Sequence, residues 1–238
     1  MRAVGIDLSK WDVSFDYDKA IVKPDFVINR VSYGTLKDSL FDSLIDNIMK
    51  APVKGGYIYL RSSESWLNQA ASFYNIVKDY PYDFFVCDVE RTYNVVDRTY
   101  IAMAIEWMNK IKITTGKPVF IYSNPDVYNT AINVWEPIRA RVYPFWVAQY
   151  PLVTPNPQLT NPRMPSSRSD WKIWQFSAGE HNTFGKQFGV GRNGVDVNVY
   201  NGTLDEMKEF LGMINIPIPI LTDKQKLDKL WELHSELH

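Results

Sequence analysis

Four acidic residues stand out by where they fall in the chain. Asp7 lies at the end of the apolar run AVGIDLS (3–9). Asp88 and Glu90 close FFVCDVE (84–90), and Asp196 sits in GVDVNVY (194–200) with Asn198 two residues further on. Side chains two apart on a strand point the same way, so Asp88 and Glu90 share a direction and Val89 takes the other. Carboxylates gathered at one site repel one another and lose solvation. That combination raises the pKa of at least one of them and keeps a carboxylic acid protonated, as a general acid, near neutral pH. No Lys or His lies inside these motifs to neutralise the charge.

Aromatic and amide side chains cluster at the ends of the same kind of run. Tyr33, Tyr57, Tyr59, Tyr122, Trp146, Tyr150 and Trp174 are so placed, and Arg61, Gln149 and Gln175 accompany them. Sugar rings stack their C–H faces on aromatic planes, while Tyr hydroxyls and Trp N–H groups supply polar handles. Aromatics are also ordinary core residues, and about half of the seven are expected to be structural.

The elements that must position these residues follow from the pattern. The runs 3–9, 26–33 (FVINRVSY), 55–61 (GGYIYLR), 84–90 and 118–124 (PVFIYSN) are mostly too apolar for a strand with one wet face, so they predict strands of a parallel sheet. Helical patterns separate them over 39–50, 64–79 and 98–113, with Asp97 as N-cap of the third, and a shorter helix follows Asn124-Pro125 to about Val134. Three more strand-like runs, 144–150, 171–177 and 194–200, are joined by Pro-rich (151–165) and Gly-rich (179–194) segments without helical periodicity. Five βα units and three further strands predict an α/β fold, an irregular TIM-like (β/α)5(β)3 barrel, whose active site would lie at the C-terminal ends of its strands. Closure would bring strand eight beside strand one, and with it Asp196 beside Asp7. A helix over 203–212 would complete a catalytic unit of residues 1–212. Residues 213–238 then form a Pro-containing linker (INIPIPI) and a short amphipathic helix with Leu227, Leu230, Trp231, His234 and Leu237 on one stripe.

Composition excludes several classes. The chain has 238 residues, 45% of them hydrophobic and 22% charged, which excludes disorder. Its 26 Lys and Arg against 27 Asp and Glu give a net charge of −1, so no basic excess exists to hold a nucleic acid. One cysteine, Cys87, and three histidines leave no disulfide and no His/Cys metal cluster, and no cofactor is implied. No apolar stretch is long enough to span a membrane, and MRAVGIDLSKW is not a secretory signal. Gly189–Gly194 matches GxGxxG but precedes a strand, so it reads as a turn. Asn201-Gly202-Thr203 is a formal glycosylation sequon, and Cys87 reads as a packed residue.

Taken together, GIDLSKW, DVE, YSNP, FWVAQY, IWQFS and GVDVNVYNG occur in the order seen in glycoside hydrolase family 25 lysozymes, over about residues 3–211. The resemblance implies a monomeric muramidase acting on bacterial peptidoglycan at the β-1,4 bond between N-acetylmuramic acid and N-acetylglucosamine. It implies Glu90 as the general acid, Asp88 as the group that steadies the N-acetyl group or the charge at the anomeric carbon, and Asp7 and Asp196 as groups that tune these two. Carboxyl separations of about 5–5.5 Å suit a direct nucleophile and about 6.5–9.5 Å an inverting water, with substrate-assisted attack as a third route. Where the family often carries His, this chain has Ile58 in YIYL.

Two other readings stand beside this one. A chitinase-like glycosidase would carry a longer DxxDxDxE run, which FFVCDVE lacks, and a silent carbohydrate-binding barrel or virion adhesin would not need the intact carboxylates. The linker and helix suggest a phage or prophage endolysin, released from host cytoplasm to wall, with a secreted mature lysozyme as the alternative. The terminal helix would dock on the barrel, pair with a second copy or begin a wall-binding module.

Overall fold

A computed structural model describes residues 1–91, 93–151 and 156–214. Nine strands form one sheet, and a further pairing between the first two strands along the chain closes eight of them into a barrel. The barrel strands are β1 (Val4–Leu8), β2 (Phe26–Tyr33), β4 (Val53–Tyr59), β5 (Phe84–Asp88), β6 (Val119–Ser123), β7 (Phe145–Ala148), β8 (Ile173–Ser177) and β9 (Asp196–Tyr200). Each coincides with one of the eight apolar runs. The ninth, β3 (Leu36–Lys37), is a two-residue hairpin return outside the barrel that periodicity is too short to show.

One barrel strand runs against the other seven. β1, β2 and β4 to β8 run parallel, but β9 is antiparallel to both its neighbours, β8 and β1. The connection from β8 to β9 is a loop rather than a helical crossover, so nothing forces β9 to re-enter from the far end.

Period two divides the core into two layers. Phe26, Ile28, Phe84, Val86, Phe120 and Ile173 point inward and fill the barrel. Gly5 and Gly55 make room for this floor: a Cβ on either would come within 2.4 Å of the ring of Phe26 or Phe84. The outward set, among it Val27, Ile58, Cys87 and Val147, packs beneath the helices. Ile58 is fully buried in that outer layer. The position where the family often has His is therefore a packing position in this chain.

Helices α1 (Phe41–Ile48), α2 (Trp66–Val77) and α3 (Arg98–Thr115) cover this layer. α3 begins where Asp97 accepts the Tyr100 N–H and ends at Gly116, whose φ of +67° suits a residue without a side chain. Asn124 caps α4 (Pro125–Val127), which continues through a π turn into α5 (Asn133–Trp135), followed by α6 (Pro137–Arg141). α7 (Leu204–Phe210) opens with a capping box between Thr203 and Glu206 and stops before Gly212. The expected linker and terminal helix lie, from residue 215 onward, outside the described residues.

Candidate active site

The inward residues at one mouth of the barrel border a cleft of about 540 Å³. Asp7 is the fourth residue of β1, Asp88 the last of β5, and Glu90 stands two residues beyond it in the following loop. Asp196 is the first residue of its strand, not near the end of one. The reversal of β9 explains why it still belongs here: its N-terminal end lies at the same mouth as the C-terminal ends of the parallel strands, and Asp7 and Asp196 are direct cross-strand partners. All four carboxylates line the cleft.

Their environments differ. Burial drives the pKa of Asp7 well above the usual carboxylate range, and the neighbouring Asp196 adds to this, against hydrogen bonds from Asn198 and Gln175. Asp88 is likewise driven well up by burial and then by Glu90, while Arg30 opposes the shift. Glu90 is raised by burial and then by Asp196. Asp196 is raised by burial, against the Gly179 N–H and Arg192. Arg30 and Arg192 thus supply the positive charge that the strand-end motifs lack.

One amide organises the pair at the β1–β9 seam. The Gln175 Nε2 donates to Asp7 Oδ2 at 2.7 Å and to Asp196 Oδ2 at 3.4 Å. Its Oε1 accepts from the Tyr122 hydroxyl at 2.8 Å and from the Tyr150 hydroxyl. Hydroxyl donors on one side and carboxylates on the other fix the amide in one orientation. Asn198 repeats the device a layer below, donating to Asp7 Oδ2 at 2.8 Å and accepting from the Trp146 Nε1 at 2.9 Å. Gly179 N–H then holds the other Asp196 oxygen at 2.6 Å. Glu90 is steadied through its backbone, where Asn94 Nδ2 donates to the Glu90 carbonyl at 3.1 Å.

Among the expected binding residues, Tyr33, Tyr57, Tyr59, Tyr122, Trp146 and Gln175 line the cleft. Tyr33 and Tyr59 stack at 5.1 Å and form one wall. Four others do not reach the cleft surface. Arg61 backs that wall, over the Tyr33 ring and paired with Glu64. Gln149 accepts the Trp174 Nε1–H through its backbone carbonyl. Trp174 itself lies in the outer layer, because the residue next to an inward Gln175 must point outward. Asn198 lies beneath Asp7. Tyr150, one of the aromatics singled out in the sequence, lines the cleft as well, and the cleft also takes in Ser9, Lys10, Trp11, Arg30 and Tyr93. Of these, Arg30 was legible: an arginine at the inward phase of FVINRVSY, in step with Phe26 and Ile28, needs a partner in the barrel.

Among the described residues, no three His, Cys, Asp or Glu side chains converge to hold a metal ion, and no helix is long and apolar enough to cross a membrane. Cys87 is buried, and burial pushes its thiol pKa up, so it is not a nucleophile of this cleft.

Comparison with known proteins finds a match over residues 6–183 to the family described as glycosyl hydrolases family 25. The Escherichia coli K12 protein YegX is 28% identical over 218 residues, covering 87% of this chain and 72% of that protein. Three solved structures share the fold. A bacterial lysozyme from Streptomyces coelicolor has a TM-score of 0.70 at 24% identity, covering 90% of this chain and 97% of its own. The catalytic domain of endolysin ply40 from bacteriophage P40 of Listeria monocytogenes has 0.69 at 19%, covering 90% and 98%. A muramidase from Trichobolus zukalii has 0.67 at 23%, covering 88% and 98%.

Proposed function

The chain belongs to glycosyl hydrolase family 25, and on that premise we propose that this glycoside hydrolase is a muramidase. It cleaves the β-1,4 bond between N-acetylmuramic acid and N-acetylglucosamine in bacterial peptidoglycan. The observation that carries this reading is the gathering of Asp7, Asp88, Glu90 and Asp196 in one cleft walled by tyrosines and Trp146.

Within it Glu90 is the general acid. Its carboxyl is raised by burial and by Asp196, and it lines the cleft. It is therefore poised to give its proton to the leaving glycosidic oxygen. Asp88, one strand step before it, steadies the positive charge that develops at the anomeric carbon or holds the N-acetyl group. Asp7 and Asp196, clamped by Gln175, keep the field around these two negative and hold the sugar or a water. The tyrosine wall stacks the sugar rings.

The test is digestion of purified peptidoglycan followed by borohydride reduction and mass spectrometry of the fragments. Reduced ends on muramic acid are expected; reduced ends on glucosamine, or no fragments from any wall type, would overturn the assignment. We further propose that the enzyme serves as a phage or prophage endolysin, a setting supported by its likeness in fold to the ply40 catalytic domain. Neighbouring holin or tail genes are the expected genomic context, and an upstream secretion signal would contradict it.

A further inference from the structure

The glycine-rich turn GVGRNG (189–194) is laid backbone to backbone on the loop that follows β1. Gly191 N–H donates to the Ser14 carbonyl at 2.8 Å, and Asp16 N–H donates to the Gly189 carbonyl at 2.9 Å. A Cβ on Gly189 would lie 2.3 Å from the Asp16 carbonyl oxygen, and one on Gly191 would lie 2.3 Å from Ser14 Oγ. The turn carries one charged side chain, Arg192, and sets it between two carboxylates.

Arg192 Nε donates to the Gly194 carbonyl at 2.8 Å, and the same nitrogen lies 3.0 Å from Asp12 Oδ1. Its Nη2 lies 3.9 Å from Asp196 Oδ1, the oxygen that the Gly179 N–H also holds. Gly179 leaves room for the guanidinium, since a Cβ there would lie 2.1 Å from Nη2. Asp12 is buried, with Oδ2 accepting the Ser9 N–H at 2.7 Å. Among the described residues its Oδ1 accepts no hydrogen bond, and Arg192 is the one cation within ion-pair distance. Neither Asp12 nor Arg192 lines the cleft.

One guanidinium therefore serves two carboxylates, and only Asp196 faces the reaction. Glu180 and His181, on the loop after β8, act on Asp196 in opposite senses, Arg30 acts on Asp12 from β2, and Asp7 stands across the seam. The charge on Asp196 reaches Glu90 in turn, so a change at Arg192 is felt at the acid without contact.

We propose that Arg192 is a positioning residue: shared between Asp12 and Asp196, it holds the Asp196 carboxylate in place, and the Asp12–Arg192 couple sets the pH range over which the cleft works. This rests on the muramidase reading and adds to it two residues behind the cleft.

The rate of fragment release from purified peptidoglycan, followed from about pH 4 to pH 9, separates this role from mere fastening of the loop. Arg192→Gln removes a positive charge, so the cleft carboxyls keep their protons to higher pH. Both limbs of the profile should move toward alkaline pH by about half a unit or more. Asp12→Asn keeps an acceptor for the Ser9 N–H and leaves Arg192 wholly to Asp196, so both limbs should move toward acid. Arg192→Lys keeps the charge and should hold the limbs near those of the wild type even where the rate falls. Limbs that stay in place in Arg192→Gln while the rate falls at every pH would overturn the proposal, as would shifts of the same sign in Arg192→Gln and Asp12→Asn. If Arg192→Gln does not fold, Asp12→Asn carries the test, and an unmoved profile there overturns it too. A wild type that releases no fragments would instead sink the muramidase reading, and this assignment with it.

Discussion

Each of the four carboxyls in the cleft is shifted in the same direction, which has a consequence for pH. A group whose folded pKa lies above its unfolded value stabilises the fold fully below the unfolded value, near 4, and loses that contribution as pH rises through the folded value. Asp7, Asp88, Glu90 and Asp196 are all raised, and Asp12, close by, is pushed up to about 6 by burial. The melting temperature is therefore expected to fall between pH 5 and pH 8. Asp88→Asn removes a buried charge with an unpartnered oxygen, so it should melt higher than the wild type at pH 8 while losing activity. An Asp88→Asn protein with an unchanged melting profile would contradict this picture of the cleft. Activity should fall on the alkaline side as Glu90 gives up its proton, and a rate that climbs with pH would be inconsistent with an acid there. The direction of Asp88 and Glu90 was legible from their spacing alone. The clamp on Asp7 was not, because Gln175 and Asn198 become its partners only through β8 and β9, more than 160 residues along the chain.

At the scale of elements, the strands were legible because each apolar run is buried on both faces, and the helix starts because Asp97 and Asn124 are local caps. The direction of β9 was not, since hydrophobic alternation reads the same both ways along a strand. Position 194 shows what that reversed strand requires. A Cβ on Gly194 would lie 1.7 Å from the Gly179 carbonyl oxygen, so the two loops approach backbone to backbone. Gly179 also supplies the N–H that holds Asp196. Gly194→Ala should therefore displace Asp196 and cut wall-lytic activity by tenfold or more in a protein that still folds; full activity would mean the seam tolerates movement. As a contrast, Thr203→Ala removes the cap of α7, just past the C-terminal end of β9, the end away from the cleft. It should cost about 1 kcal/mol in denaturant unfolding and leave kcat/KM unchanged.

Across the whole molecule, a packed floor and an open mouth divide stability from chemistry. Phenylalanine rings and two glycines close the interior below, and charged and amide groups occupy the top, as expected for barrels that carry their reactive groups on strand ends. We propose residues 1–212 as the catalytic unit, within which the family match covers residues 6–183. Removing everything after Met213 should leave digestion of purified peptidoglycan unchanged, and a loss of hydrolysis would assign the C-terminal segment a part in the reaction. The barrel was legible because its strand count, run lengths and acidic positions all agreed. About half of the seven aromatics were expected to be structural, yet six line the cleft; Trp174 alone does not, because being near a strand end says nothing about which face a side chain takes.

The central claim is that Glu90 protonates the leaving oxygen, and leaving-group dependence tests it most directly. Glu90→Gln should lose about 10²–10⁴ in kcat on peptidoglycan, whose sugar leaving group needs a proton. On a dinitrophenyl glycoside of the same donor sugar, whose leaving group departs unaided, the variant should retain most of the wild-type rate of bond cleavage. Equal losses on both substrates, or full activity on peptidoglycan, would contradict the assignment of the acid to position 90.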